Sequence, residues 1–132
     1  MRLLTLFFTL FVALAFGEVH NEFITQKLID SKIKIIDIRT IGEWKQTGIV
    51  QGSIPIEFFN EQGKYDVKAF MNKFQTVVKP DEKVALICNT GSRTKLVSEF
   101  LSTYYHYHVI DLQGGIQYAI GKGIKLTPYQ AR

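Results

Sequence analysis

The chain has 132 residues, 46% hydrophobic and 21% charged, with 16 Lys and Arg against 12 Asp and Glu for a formal charge of +4. This composition excludes a disordered or fibrous chain, and the length suits one globular domain rather than two. The lysines stand singly among acids with no arginine-rich stripe, which argues against a nucleic-acid partner.

The opening "MRLLTLFFTLFVALAFGEVH" carries one positive charge at Arg2, then an uncharged apolar run from Leu3 to Phe16. That run is too short to span a membrane comfortably. A buried core helix would keep polar residues on its outer side, and here there are only Thr5 and Thr9. With Ala15 and Gly17 as the small residues of a signal-peptidase site, residues 1–17 are expected to form an export signal cleaved before Glu18, or nearby after Ala15. The remaining domain, 18–132, would then be periplasmic or secreted, without stable membrane insertion.

"NEFITQKLIDS" spaces Phe23, Ile24, Leu28 and Ile29 for a helix with Asn21 as its cap, and "IKIIDI" from Ile33 to Ile38 follows as a β-branched strand. "GSIPIEF" suggests a second short strand. Asp66 is placed to cap a helix with Val67, Phe70, Met71 and Phe74 inward, and "VALIC" from Val84 to Cys88 suits a central parallel strand buried on both faces. From Thr94, the residues Leu96, Val97, Phe100, Leu101 and Tyr104 fall at helical spacing. "HVIDL" then makes a strand, and "GGIQYAIGKG" a short Gly-bounded helix. The rhythm predicts a three-layer α/β domain.

Chemistry in open parallel sheets gathers beyond the carboxyl ends of the strands, where Cys88 lies. It is the only cysteine in the chain, so an internal disulfide is excluded and the thiol is either inert or functional. The segment after it, "NTGS", is small and polar and runs into a helix. Its backbone N–H groups can form an anion-binding nest, and the helix end together with Arg93 favours the thiolate. Cys88 is therefore read as a nucleophile.

"DIRTIGEWKQTG" after the first strand, the Gly52-Ser53-Ile54 return, "CNTGSRT" and "LQGGI" together resemble a single-domain rhodanese, a sulfurtransferase family whose loop carries a cysteine persulfide. The resemblance covers nearly all of the chain after residue 17. It implies a rhodanese-like α/β/α domain with a mostly parallel sheet of about five strands. It makes Cys88 the sulfur-accepting nucleophile, Asn89, Thr90, Gly91 and Ser92 the backbone cradle, Arg93 the residue holding anionic substrates, and Asp37 and Arg39 supports of that loop. Glu43 would pair with Arg39, and Trp44 would pack.

The implied reaction moves sulfur from a small anionic donor through Cys88 to a thiophilic acceptor, a small molecule or a partner protein, with no metal or cofactor. Phosphatase-like relatives carry one residue more between cysteine and arginine, so the shorter loop here favours sulfur over phosphate. A non-catalytic binding module is the competing class, and a thiol-disulfide oxidoreductase would lack a resolving cysteine. Two positions depart from the family pattern: Ile49 where a histidine is usual, and Tyr118 where a tryptophan is usual. In "YYHYH" a strand would put His106 and His108 on one face, but two ligands are too few for a zinc or copper site.

Overall fold

A computed structural model describes residues 16–131. Residues 1–15, most of the expected export signal, lie outside the described residues. Among the described residues no helix is long and apolar enough to cross a membrane.

Five parallel strands form the sheet: β1 (Glu18–Glu22), β2 (Lys34–Asp37), β4 (Ile54–Pro55), β5 (Lys83–Ile87) and β6 (His108–Leu112), in the order β1-β6-β5-β2-β4. Two short strands, β3 (Ile49–Val50) and β7 (Leu126–Thr127), pair antiparallel beside it. The central strands alternate their side chains strictly between two cores, as strand geometry requires. Ile36, Val84, Leu86 and Val109 face helices α3 (Val67–Val77) and α4 (Ser92–Tyr105), while Ile35, Ala85, Ile87 and Ile110 face α1 (Gln26–Ile29) and α5 (Gly115–Gly121). The chain is thus a three-layer α/β/α domain, with every residue from Val84 to Cys88 fully buried.

α3 begins where Asp66 was expected to cap it, the carboxylate accepting from the Ala69 N–H at 3.0 Å, and buries Phe70, Met71 and Phe74. The first helix differs from expectation. Asn21 lies in β1, opposite Asp111 of β6, and the helix is the single turn α1, capped by Thr25. The open edge of β6 offers backbone partners to residues 18–22, and that pairing outweighs the weak helical spacing. Of the four residues expected to face inward, Ile24 and Leu28 are buried, while Phe23 stays exposed with its ring 4.6 Å from Tyr118.

α4 also starts earlier, at Ser92, and turns a different face inward: Thr94, Val97, Ser98, Leu101 and Ser102 are buried, whereas Leu96 and Tyr104 are exposed. Small polar residues at four-residue spacing let the adjoining chain come close, since a Cβ on Gly17 would meet the Ser102 carbonyl oxygen. His106 caps α4 in the left-handed region and His108 opens β6, so the two do not share a strand face. His108 Nδ1 instead lies 3.3 Å from Glu18 Oε1. α2 (Ile41–Thr47), within "DIRTIGEWKQTG", is an element the hydrophobic pattern does not signal.

Candidate active site

β5, buried from Val84 onward, delivers Cys88 to its carboxyl end, and α4 begins four residues later. Gly91 makes the connection: its φ of 100° lies in the left-handed region, and a Cβ there would sit 3.1 Å from the Gly114 nitrogen. This turn points the Gly91 N–H at Cys88 Sγ, at 3.2 Å. It is the one loop N–H that bonds the sulfur. The N–H groups of Asn89, Thr90, Ser92 and Arg93 make no hydrogen bond among the described residues. Cys88 is itself fully buried.

A second loop clamps the first. The N–H groups of Ile116 and Gln117, at the start of α5, donate to the carbonyls of Cys88 at 2.8 Å and Asn89 at 3.1 Å, and Gln117 Nε2 reaches Asn89 Oδ1 at 3.0 Å. Gly115 permits this approach, with φ 58° and no Cβ to strike the Cys88 carbonyl. Gly115→Ala should therefore cost on the order of 2–4 kcal/mol from strained backbone and overpacking. Chemical denaturation measures that loss, and a change below about 0.5 kcal/mol, the scale of a neutral surface substitution, would refute the clamp.

Arg93 extends from the first turn of α4 to Glu43 of α2, a bidentate pair with Nη1–Oε1 at 2.6 Å and Nη2–Oε2 at 2.7 Å. Thr40 and Glu43 form a reciprocal capping box at the start of α2, which fixes the carboxylate that receives Arg93. The pair faces a groove of about 710 Å³ lined by Thr40, Glu43, Phe59, Ser92, Arg93 and Leu96 among others. Glu43 was expected beside Arg39; it serves Arg93 instead.

The Arg93 hydrogen bond holds the Glu43 carboxyl below its ordinary 4.5, against a smaller opposing effect of burial. The folded chain then binds fewer protons there than the unfolded chain. The resulting stability is full above pH 4.5 and is lost as pH falls through the lowered folded value. Urea midpoints at neutral pH and below 4.5 should fall less on acidification in Glu43→Gln than in the parent chain; equal falls would refute the linkage.

Asp37 and Arg39, expected to support the cysteine loop, come together, and their hydrogen bonds go to each other, to α2 and to Gly48. Arg39 is fully buried. Its Nε and Nη2 donate to Asp37 at 3.0 and 2.9 Å, Nη1 to Thr47 Oγ1 at 2.9 Å, and Nη2 also to the Gly48 carbonyl at 2.9 Å. Asp37 accepts further from the Arg39 N–H and from Trp44 Nε1, each at 3.1 Å. An Asp two residues before its Arg folds back upon it, so this carboxylate is used in tying β2 to α2 rather than in receiving loop N–H groups. Trp44 packs as expected and adds a donor to the network.

Three contacts of the site had no counterpart in the sequence reading. Thr94 Oγ1 lies 3.7 Å from Cys88 Sγ and 2.7 Å from Asp111 Oδ1, so the stretch around the cysteine reaches the end of β6. Gln117 grips the loop from α5. The Thr40-x-x-Glu43 pattern is a legible helix start, and it was the available signal for α2 and for the carboxylate that Arg93 meets.

The rhodanese-like domain family matches residues 21–119. Among solved structures, the chain is similar to a rhodanese-related protein from Thermoplasma volcanium, at 25% identity over 79% of this chain and 91% of that one, with a TM-score of 0.61. It is also similar to a rhodanese-like domain from Anabaena, at 14% identity over 81% and 79% of the two chains, TM-score 0.60. A Rhodopseudomonas palustris protein described as a possible tyrosine phosphatase shares the fold at 21% identity over 77% and 76%, TM-score 0.57. No curated protein matches the chain.

Proposed function

Since the chain belongs to the rhodanese-like domain family, which includes sulfurtransferases, binding modules and phosphatase-like members, we propose that it is a sulfurtransferase carrying sulfane sulfur as a persulfide on Cys88. The observation that carries this reading is the four-residue loop from Asn89 to Ser92, whose Gly91 N–H bonds the sulfur and whose other N–H groups have no partner among the described residues. Such donors stabilise an anion where charge develops.

In the first half-reaction the Cys88 thiolate attacks the outer sulfur of a donor such as thiosulfate. The sulfur–sulfur bond of the donor breaks, its electron pair leaves with sulfite, and Cys88 retains one sulfur as the persulfide anion. In the second, a thiophilic acceptor such as cyanide or a thiolate attacks the terminal sulfur, and the Cys88 thiolate returns with the electron pair of the broken bond. Arg93 stands beside the loop as the cation for an anionic donor. Its remaining N–H groups are free of the two bonds to Glu43, which itself strengthens the guanidinium's hold on its proton.

Full burial of Cys88 favours a second reading, a binding module that keeps the thiol as a core residue. Intact mass separates the two. After incubation with thiosulfate the protein is expected to gain one sulfur atom, which cyanide then removes as thiocyanate. No gain with thiosulfate or with a low-molecular-weight persulfide would favour the module. The reading includes export: the apolar run ends at Phe16 and β1 begins at Glu18, which supports a boundary between signal and domain there.

A further inference from the structure

Of the two acids buried among the described residues, Asp37 is taken up by Arg39, and Asp111 has no cationic partner. Asp111, in β6, is 3% exposed, and its carboxylate has a single side-chain partner among the described residues, the Thr94 hydroxyl at 2.7 Å. The same hydroxyl lies 3.7 Å from Cys88 Sγ. A carboxylate can only accept, and a hydroxyl has one proton to give, so the short contact assigns the Thr94 proton to Asp111. The lone pairs of Thr94 Oγ1 are then left to accept from the thiol. The Gly91 carbonyl, at 3.2 Å from Oγ1, is the weaker rival for that proton because it carries no charge.

We propose that Asp111 is the internal proton acceptor for Cys88, acting through the Thr94 hydroxyl. The S–H bond of Cys88 breaks as its proton passes to Thr94 Oγ1. The proton that Thr94 held passes to Asp111 Oδ1. Thr94 ends as it began, Asp111 becomes a neutral carboxylic acid, and Cys88 becomes the thiolate. The negative charge has moved from a position beneath the loop to the sulfur, beside the Gly91 N–H. The thiol proton therefore need not leave for solvent before sulfur is accepted, which matters for a group that is fully buried.

The surroundings of Asp111 fit an acceptor rather than an ion-pair member. From β1 the neighbour in register is Asn21, from β5 it is Leu86, and neither is charged. From α4 come Thr94, Lys95 and Glu99; the last two line, with Asp111, a cavity of about 170 Å³ behind the loop. Neither Lys95 nor Arg93 forms an ion pair with Asp111, and Arg93 is engaged by Glu43. As a step of catalysis the transfer rests on the sulfurtransferase reading; as proton sharing between two buried acids it does not.

Thiolate absorbance in the ultraviolet, followed against pH as the difference between the protein and Cys88→Ala, reads the sulfur without requiring a reagent to reach it. Two acids that share a proton titrate as a pair. The protein is expected to show two rises, a partial one as the pair loses its first proton and a second as it loses the other. Asp111→Asn, which preserves size and a hydrogen bond to Thr94, should show one rise only; Thr94→Ser, which keeps the hydroxyl, should retain both. A single rise in the unaltered protein overturns the proposal whatever the variants do, and so does a double rise that persists in Asp111→Asn. A double rise in protein that takes up no sulfur from any donor would sink the sulfurtransferase reading and leave the shared proton standing.

Discussion

Cys88→Ala is expected to take up no sulfur from thiosulfate and to transfer none to cyanide, a fall of at least about four orders of magnitude if residual background is counted, because a covalent carrier has no substitute once its nucleophile is gone. The chain holds no other thiol. The same substitution removes only one sulfur atom from the core cluster that also holds Val97 and Leu86. It should cost about 1–2 kcal/mol of stability, a small cavity rather than a lost network. Activity and folding should therefore separate cleanly, with an unchanged circular-dichroism spectrum beside a dead assay. Turnover comparable to the parent chain would eliminate Cys88 as the carrier.

The opposite separation is expected at Asp37. Asp37→Ala leaves the buried guanidinium of Arg39 with only Thr47 Oγ1 and the Gly48 carbonyl, and strips a partner from Trp44 as well. Breaking one side of a buried pair costs about 3–5 kcal/mol, since the remaining charge is neither solvated nor matched. Against a typical domain stability of about 5–15 kcal/mol, this should lower the denaturation midpoint severely with the transition slope unchanged. Asp37→Asn keeps an acceptor for Arg39 and should cost less than Asp37→Ala. A loss below about 1 kcal/mol in Asp37→Ala would mean that Arg39 finds an alternative arrangement.

The central strands were readable because burial on both faces demands continuous apolar runs, and "VALIC" has no other stable use. Cys88 and its loop were readable for a related reason, since a strand that ends in small polar residues before a helix has few conformations open to it. β1 was not: "EVHNE" is mostly exposed and carries no apolar signal, and it becomes a strand only because β6 presents a free edge. The partners of Asp37, Arg39, Glu43 and Arg93 were only half legible. Composition identified four charged residues near the strand ends, but which carboxylate meets which guanidinium depends on α2, whose capping box sets Glu43 toward the groove and not toward β2. Asp111 was invisible as a functional group, because a strand residue gains meaning here only from Thr94 on a neighbouring helix.

The two outer strands of the sheet bear on how such a domain meets other molecules. β4 is two residues long and one of them is Pro55, which has no N–H to offer an incoming strand; β1 carries Glu18, His20 and Glu22, all exposed. Charges and a proline at sheet borders discourage strand addition, so copies of this chain are poorly suited to extending one sheet into another or to seeding fibrils. On the proposed sulfurtransferase reading, a protein partner would find little backbone to grip along either border and would have to recognise side chains instead.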